Sequence, residues 1–166
     1  MYALGLSVVT WLLVASGSVS AGASSADHLA KIAAIAEVLD EFHAAAATGD
    51  WVTYFDLMSD DAVFIGTDAT ERWIKPVFQA YAGKTNGWVY LLKTRNINLT
   101  PTQDSAWFDE ILMSKSYGTS RGTGILISTR DGWKISQYHL TFPIPNALAE
   151  NITDEIKRFE SNQKQR

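Results

Sequence analysis

The runs "SAWFDEIL" and "WKISQYHL" hold the side chains best suited to moving protons, Asp109 or Glu110 with His139. Imidazole titrates near neutral pH, and a nearby carboxylate either orients the ring or acts as base once an apolar wall shifts its pKa. Alternation along a strand puts Trp107, Asp109 and Ile111 on one face and Phe108, Glu110 and Leu112 on the other. By the same parity Arg121, Thr123 and Ile125 lie together, as do Trp133, Ile135, Gln137 and His139, opposite Tyr138, Leu140 and Phe142. Strands paired as a meander then gather Asp109, Arg121, Thr123, Gln137 and His139 among aromatic and aliphatic neighbours. On this reading Asp109 and His139 form the catalytic pair, and Trp107, Arg121, Thr123 and Gln137 contact the ligand. Glu110 joins them, because a one-residue bulge exchanges it for Asp109. A purely structural alternative makes the same set a buried network in which Arg121 neutralises the acid and His139 bonds to backbone, since an unpaired buried charge is costly.

A second candidate group lies in "FIGTDATERW", where Thr67, Asp68 and Arg72 stand at the end of an apolar run. They suit the mouth of a pocket. The spacing of Asp68 and Glu71 also has the form of a capping box, which predicts that a helix starts there. Arg95 in "LLKTRNINL" reads as a surface residue or an ion-pair partner. His43, one residue after Phe42 near a helix end, reads as a C-terminal cap favoured by the helix dipole.

These residues need elements to hold them. Leu29, Ile32, Ile35, Val38, Leu39 and Phe42 recur at helical spacing from Asp27 to Thr48, with Gly49 as the stop. Asp50 suits the N-cap of a short helix from Trp51 to Met58. "SDDAVFIGTD" then reads as a strand, and "ATERWIKPVFQAYAG" as a helix with Pro76 in or near its first turn. From there the period changes to two, giving four long strands: "GWVYLLKTRNINLTP", "DSAWFDEILMSKSYG", "TSRGTGILISTRDG" and "WKISQYHLTFPIPN". Ala147 to Phe159 closes the chain as a short helix. Helices followed by a meander of strands predict an α+β domain, with helices on one face of an antiparallel sheet and a cleft between them.

Composition limits what such a domain does. The 166 residues carry a formal charge of -4, with 19% charged and 46% hydrophobic side chains. That excludes a basic nucleic-acid surface and a disordered tail, and it supplies one sizeable core. Cysteine is absent, so disulfides, thiolate nucleophiles and cysteine-held zinc are excluded. His28, His43 and His139 lack metal-ligand spacing, so no metal is expected. "RGTG" is too short for a phosphate loop, so no cofactor is expected either. Residues 1–23 read as an export signal: the apolar run Ala3 to Ala15 is too short to span a bilayer, and small residues at Ser18 and Ser20, or Ala21 and Ala23, offer cleavage sites. The expected mature protein is exported and not membrane-inserted, with a domain over 27–146 and a tail over 147–166.

The stretches "AAATGDW", "DAVFIGTDATERW", "AWFDE", "RGTG" and "GWKISQYHLTFPIPN" together resemble the SnoaL-like branch of the nuclear transport factor 2-like superfamily. The resemblance implies a cone-shaped α+β domain with an internal pocket, often a homodimer. It also implies functions ranging from isomerases, dehydratases and cyclases to binding modules without chemistry. Two readings stand at this point. One is a pocket protein binding a small, largely apolar organic molecule; the other is a cofactor-independent acid-base enzyme using Asp109 or Glu110 with His139.

Overall fold

The computed structural model describes residues 19–163. Most of the expected export segment therefore lies outside the described residues. The chain runs α1 (Val19–Thr48), α2 (Trp51–Asp56), β1 (Met58–Ile65), β2 (Arg72–Ile74), α3 (Lys75–Ala82), β3 (Leu91–Leu99), β4 (Ser105–Ser114), β5 (Gly118–Thr129), β6 (Gly132–Thr141) and α4 (Ala149–Gln163). One six-stranded sheet has the order β2-β1-β6-β5-β4-β3. All neighbours are antiparallel except β1 and β6, which run parallel. This is the α+β arrangement that the order of periods implies, and the four long strands fall where period two predicts them.

Helix α1 begins eight residues before the expected Asp27 boundary. It buries Ile35, Leu39, Phe42 and Ala46, a stripe at spacings of four, three and four that faces the sheet. Gly49 ends it at φ 69°, a left-handed turn that glycine adopts without a Cβ penalty. Asp50 then caps α2 by accepting from the Thr53 backbone N–H at 3.1 Å and its hydroxyl at 2.7 Å. The joint is tight. Gly87 (φ 98°) lies so near Ala46 that a Cβ there would sit 2.3 Å from the Ala46 carbonyl oxygen, and the Trp88 amide donates to that same oxygen at 3.0 Å. Trp88 is thereby fixed against the helices.

The stretch after β1 corrects the sequence reading. No helix starts at Asp68. Residues Arg72–Ile74 instead form β2, with Ile65 opposite Arg72 and Phe64 opposite Trp73. Helix α3 begins only at Lys75, with Pro76 in its first turn. A helix continued back through Pro76 would lose a donor and press the ring onto the carbonyl of Arg72. The capping-box side chains close the β1–β2 loop instead. Glu71 Oε2 accepts from the Asp68 amide at 3.2 Å, and Asp68 Oδ1 accepts from the Thr70 amide at 2.8 Å.

Burial alternates along β4 and β5. Ala106, Phe108, Glu110, Leu112 and Ser114 point inward on β4, and Ser120, Gly122, Gly124 and Leu126 do so on β5. The core joins this face to α1, α2 and α3 through Tyr54, Phe55, Phe78 and Tyr138. Phe42 stacks on Tyr54 with ring centroids 4.0 Å apart, and Phe64 stacks on Phe78 at the same distance.

Candidate functional site

Glu110 is 0% exposed, and three side chains from three elements converge on it. His43 Nε2 of α1 lies 2.7 Å from Oε1, the Tyr138 hydroxyl of β6 donates to the same oxygen at 2.8 Å, and Arg95 Nε of β3 donates to Oε2 at 2.8 Å. Arg95 reaches back to α1, donating from Nη1 to the Ala36 carbonyl and to Asp40 Oδ1. Cross-strand register explains the assembly. Arg95 stands opposite Glu110, Glu110 opposite Gly122, and Gly122 opposite Leu140, two residues beyond Tyr138. Glycine is required at 122. A Cβ there would lie 2.2 Å from the Tyr138 oxygen and 2.8 Å from Glu110 Oε1. The "RGTG" run thus makes room for the carboxylate and its phenol.

Burial alone would raise the carboxyl pKa of Glu110, but the His43 hydrogen bond and the charges of His43 and Arg95 outweigh it and hold it below the ordinary range. The same burial, with Glu110 alongside, pushes Tyr138 far upward. Near neutral pH Tyr138 is therefore a donor and Glu110 an acceptor. An ionised carboxylate has no proton to give, so His43 Nε2 carries the shared one. Among the described residues His43 Nδ1 has no hydrogen-bond partner in the protein, so it is the ring nitrogen left open to a ligand.

A cleft of about 270 Å³ opens beside this group. Its walls are aromatic: Phe64, Trp73, Phe78, Tyr81, Trp88, Tyr90, Tyr117 and Phe142, with Thr67 and Glu71 at the β1–β2 loop. At its inner end Phe64, Trp88, Tyr90 and Leu140 are shared with a chamber of about 10 Å³, which adds Phe42, His43, Tyr54 and Tyr138. That is close to the space one water or one ligand oxygen occupies. The cleft therefore narrows from an apolar mouth to a polar end at His43.

The residues singled out in the sequence fall into three places. Asp109, Thr123 and His139 stand in one row, Asp109 opposite Thr123 and Thr123 opposite His139. Trp107, Arg121 and Gln137 lie on the same face, but Trp133 and Ile135, expected there too, do not: a register shift between Ile125 and Leu126 sets Ile135 opposite the inward Leu126, and Ile135 is buried in the core. The face that carries Asp109 points away from α1–α3, and Asp109 accepts there from Asn96 Nδ2 at 3.0 Å. Thr67 lines the cleft; Asp68 and Arg72 do not. Glu110 sits inward with no bulge needed on β4. His43, expected to cap the end of α1, does not do so: the helix runs on to Thr48 and the ring turns to Glu110. Arg95 is a buried ion-pair partner at 6% side-chain exposure. Residue spacing alone does not mark His43, Tyr54, Tyr90 or Tyr138 as site residues. A usable signal was the line Ala36, Asp40, His43 along one side of α1, and the two glycines of β5, which mark where large neighbours cross.

A helix-first α+β domain whose sheet and helices enclose an aromatic cleft ending in a buried polar group has the nuclear transport factor 2-like fold. Within it, the chain belongs to the SnoaL-like domain family, which matches residues 35–145. Solved structures agree on the fold. A nuclear transport factor 2-like protein with a cystatin-like fold from Novosphingobium aromaticivorans is 15% identical with a TM-score of 0.63, over 81% of this chain and 96% of that one. A provisionally named aromatic ring hydroxylase from the same organism is 17% identical with a TM-score of 0.61, over 70% and 92%. A provisionally named dehydratase from Streptomyces avermitilis is 14% identical with a TM-score of 0.60, over 70% and 98%. No curated protein matches the chain.

Proposed function

We propose that this protein binds a small, largely apolar organic molecule of one or two rings, inserting a single hydroxyl or carbonyl oxygen toward His43. The observation that carries the proposal is the aromatic cleft tapering to the His43–Tyr138 chamber. Its volume lies just under the usual range for drug-sized ligands, which suits a compact occupant. Aromatic walls supply burial and ring contacts without demanding polar groups of the ligand. The protein acts outside the cytoplasm, a reading supported by the N-terminal apolar segment and its small-residue sites.

A second reading is favoured by one specific feature, the 2.7 Å contact between His43 and the ionised Glu110. A histidine oriented by a carboxylate, with its other nitrogen toward a cleft, is equipped for acid-base transfer. The proton-moving role then belongs to His43 with Glu110 as its orienting group, and no longer to Asp109 and His139. The test is a titration of purified full-length protein with a panel of phenols, aryl ketones and cyclic enones, read by tryptophan fluorescence. Trp73 and Trp88 line the cleft, so occupancy changes their emission. A panel that leaves emission unchanged, with no heat in calorimetry, overturns the proposal.

A further inference from the structure

Tyr54 of α2 is 1% exposed, and among the described residues its hydroxyl has no hydrogen-bond partner. Other rings set its place. Phe42 stacks on it at 4.0 Å, and Trp51, Phe78 and Trp88 meet it edge to face with centroids 5.5, 6.0 and 5.9 Å away. Phenylalanine would pack there equally well. The hydroxyl therefore adds only the cost of taking a polar group out of water, which native proteins normally offset with a partner. Burial holds its pKa far above the ordinary value, so it keeps its proton and can donate.

That donor belongs to the chamber at the inner end of the cleft, which Tyr54 lines together with Phe42, His43 and Tyr138. Tyr138 gives its own proton to Glu110, and Tyr54 lies close enough to push the Tyr138 pKa further up. The two phenols thus meet where His43 stands. The chamber holds about one oxygen, and that oxygen has two unfilled neighbours, the Tyr54 hydroxyl and His43 Nδ1. With the Nε2 proton directed at Glu110, a neutral imidazole presents Nδ1 as an acceptor. One donor and one acceptor around a single oxygen match a hydroxyl, which accepts from Tyr54 and donates to His43. A carbonyl oxygen carries no proton, so it would satisfy Tyr54 and leave Nδ1 unpaired.

We infer that Tyr54 is a ligand-binding residue and that the group it receives is the hydroxyl of a cyclic alcohol or phenol, not the oxygen of a ketone. This rests on the aromatic cleft being a site for rings and narrows that site to one oxygen chemistry. Hydrogen bonding then discriminates where aromatic walls do not, because a mismatched oxygen leaves a buried polar group unpaired.

The test compares indan-2-ol, indan-2-one and indane, which share one skeleton and differ only at the oxygen. Calorimetry uses the full chain above the pH range in which imidazole carries charge. Wild type is expected to bind indan-2-ol at least about fivefold tighter than indan-2-one, and the ketone tighter than indane. Tyr54→Phe should weaken indan-2-ol by at least about fivefold and leave indane unchanged. Its urea midpoint should equal or exceed that of wild type, since no protein partner is lost. A ketone bound as tightly as the alcohol overturns the inference, and so does a Tyr54→Phe variant with wild-type affinity for the alcohol. In both cases binding of indane shows that the cleft still takes rings. A Tyr54→Phe variant that unfolds at lower urea also overturns it, because the hydroxyl would then be holding the fold. Failure of all three probes to bind removes the ring site itself, and the inference with it.

Discussion

Arg95→Met and Glu110→Gln, singly and together, measure how far the buried charge group holds this fold. Arg95 is 6% exposed and Glu110 not at all, with 2.8 Å between Nε and Oε2. Removing either partner leaves the other short of its principal opposite charge in a site where water cannot replace it, with only His43 and Tyr138 left on Glu110, or Asp40 and the Ala36 carbonyl left on Arg95. On the scale for breaking a buried ion pair, each single change costs about 3 kcal/mol. That is a large share of a typical domain stability of roughly 5–15 kcal/mol. Independent losses would make the double variant about 6 kcal/mol less stable, but the second change removes the very charge that the first one stranded. The double variant should therefore lie near the singles, with a coupling of about 2–3 kcal/mol. Urea unfolding with a constant m-value reads this out. Single costs under about 1 kcal/mol, or additivity within about 0.5 kcal/mol, would refute the view that these residues form one electrostatic unit.

The same pair sets a pH dependence. The folded pKa of Glu110 lies below its ordinary value of 4.5, so the folded state binds fewer protons than the unfolded one. Its contribution is complete above that ordinary value and disappears as pH falls through the depressed folded value. The stability gap between wild type and Glu110→Gln should thus be constant near neutral pH and narrow below about pH 4.5.

Three further outcomes are expected. Gly122→Ala presses a methyl group into the Tyr138 and Glu110 oxygens and should lower stability by about 1–3 kcal/mol, seen as a drop in thermal midpoint; an unchanged midpoint would mean the strands yield freely. For any ligand found by fluorescence, His43→Ala should weaken binding at least tenfold, while His139→Ala and Asp109→Asn on the outer face change it less than twofold; the reverse pattern moves the site to the outer face. Sequencing the mature N-terminus from fractionated cells should find a chain that starts at Ser24 outside the cytosol, and an intact Met1 on cytosolic protein ends the export proposal.

Much of this molecule is written in local patterns. The helical spacing of Ile35, Leu39 and Phe42, the Asp50 cap and the period-two runs of β3 to β6 depend only on near neighbours, so a reader of residues finds them directly. Parity is local too, which is why Asp109, Thr123 and His139 do share a face. What residue order leaves open is which face the helices cover. "SAWFDEILM" is equally apolar on both parities, so only the packing of α1 against the sheet decides that Glu110 goes in and Asp109 stays out. The fate of "FIGTDATERW" was decided in the same way, by hydrogen bonds from β1 to Trp73 that no propensity for a cap could foresee. His43, Arg95 and Tyr138 lie 15 to 67 positions from Glu110 along the chain. Their meeting is a property of register and docking, since a buried carboxylate collects its partners from whatever elements the fold brings within 3 Å.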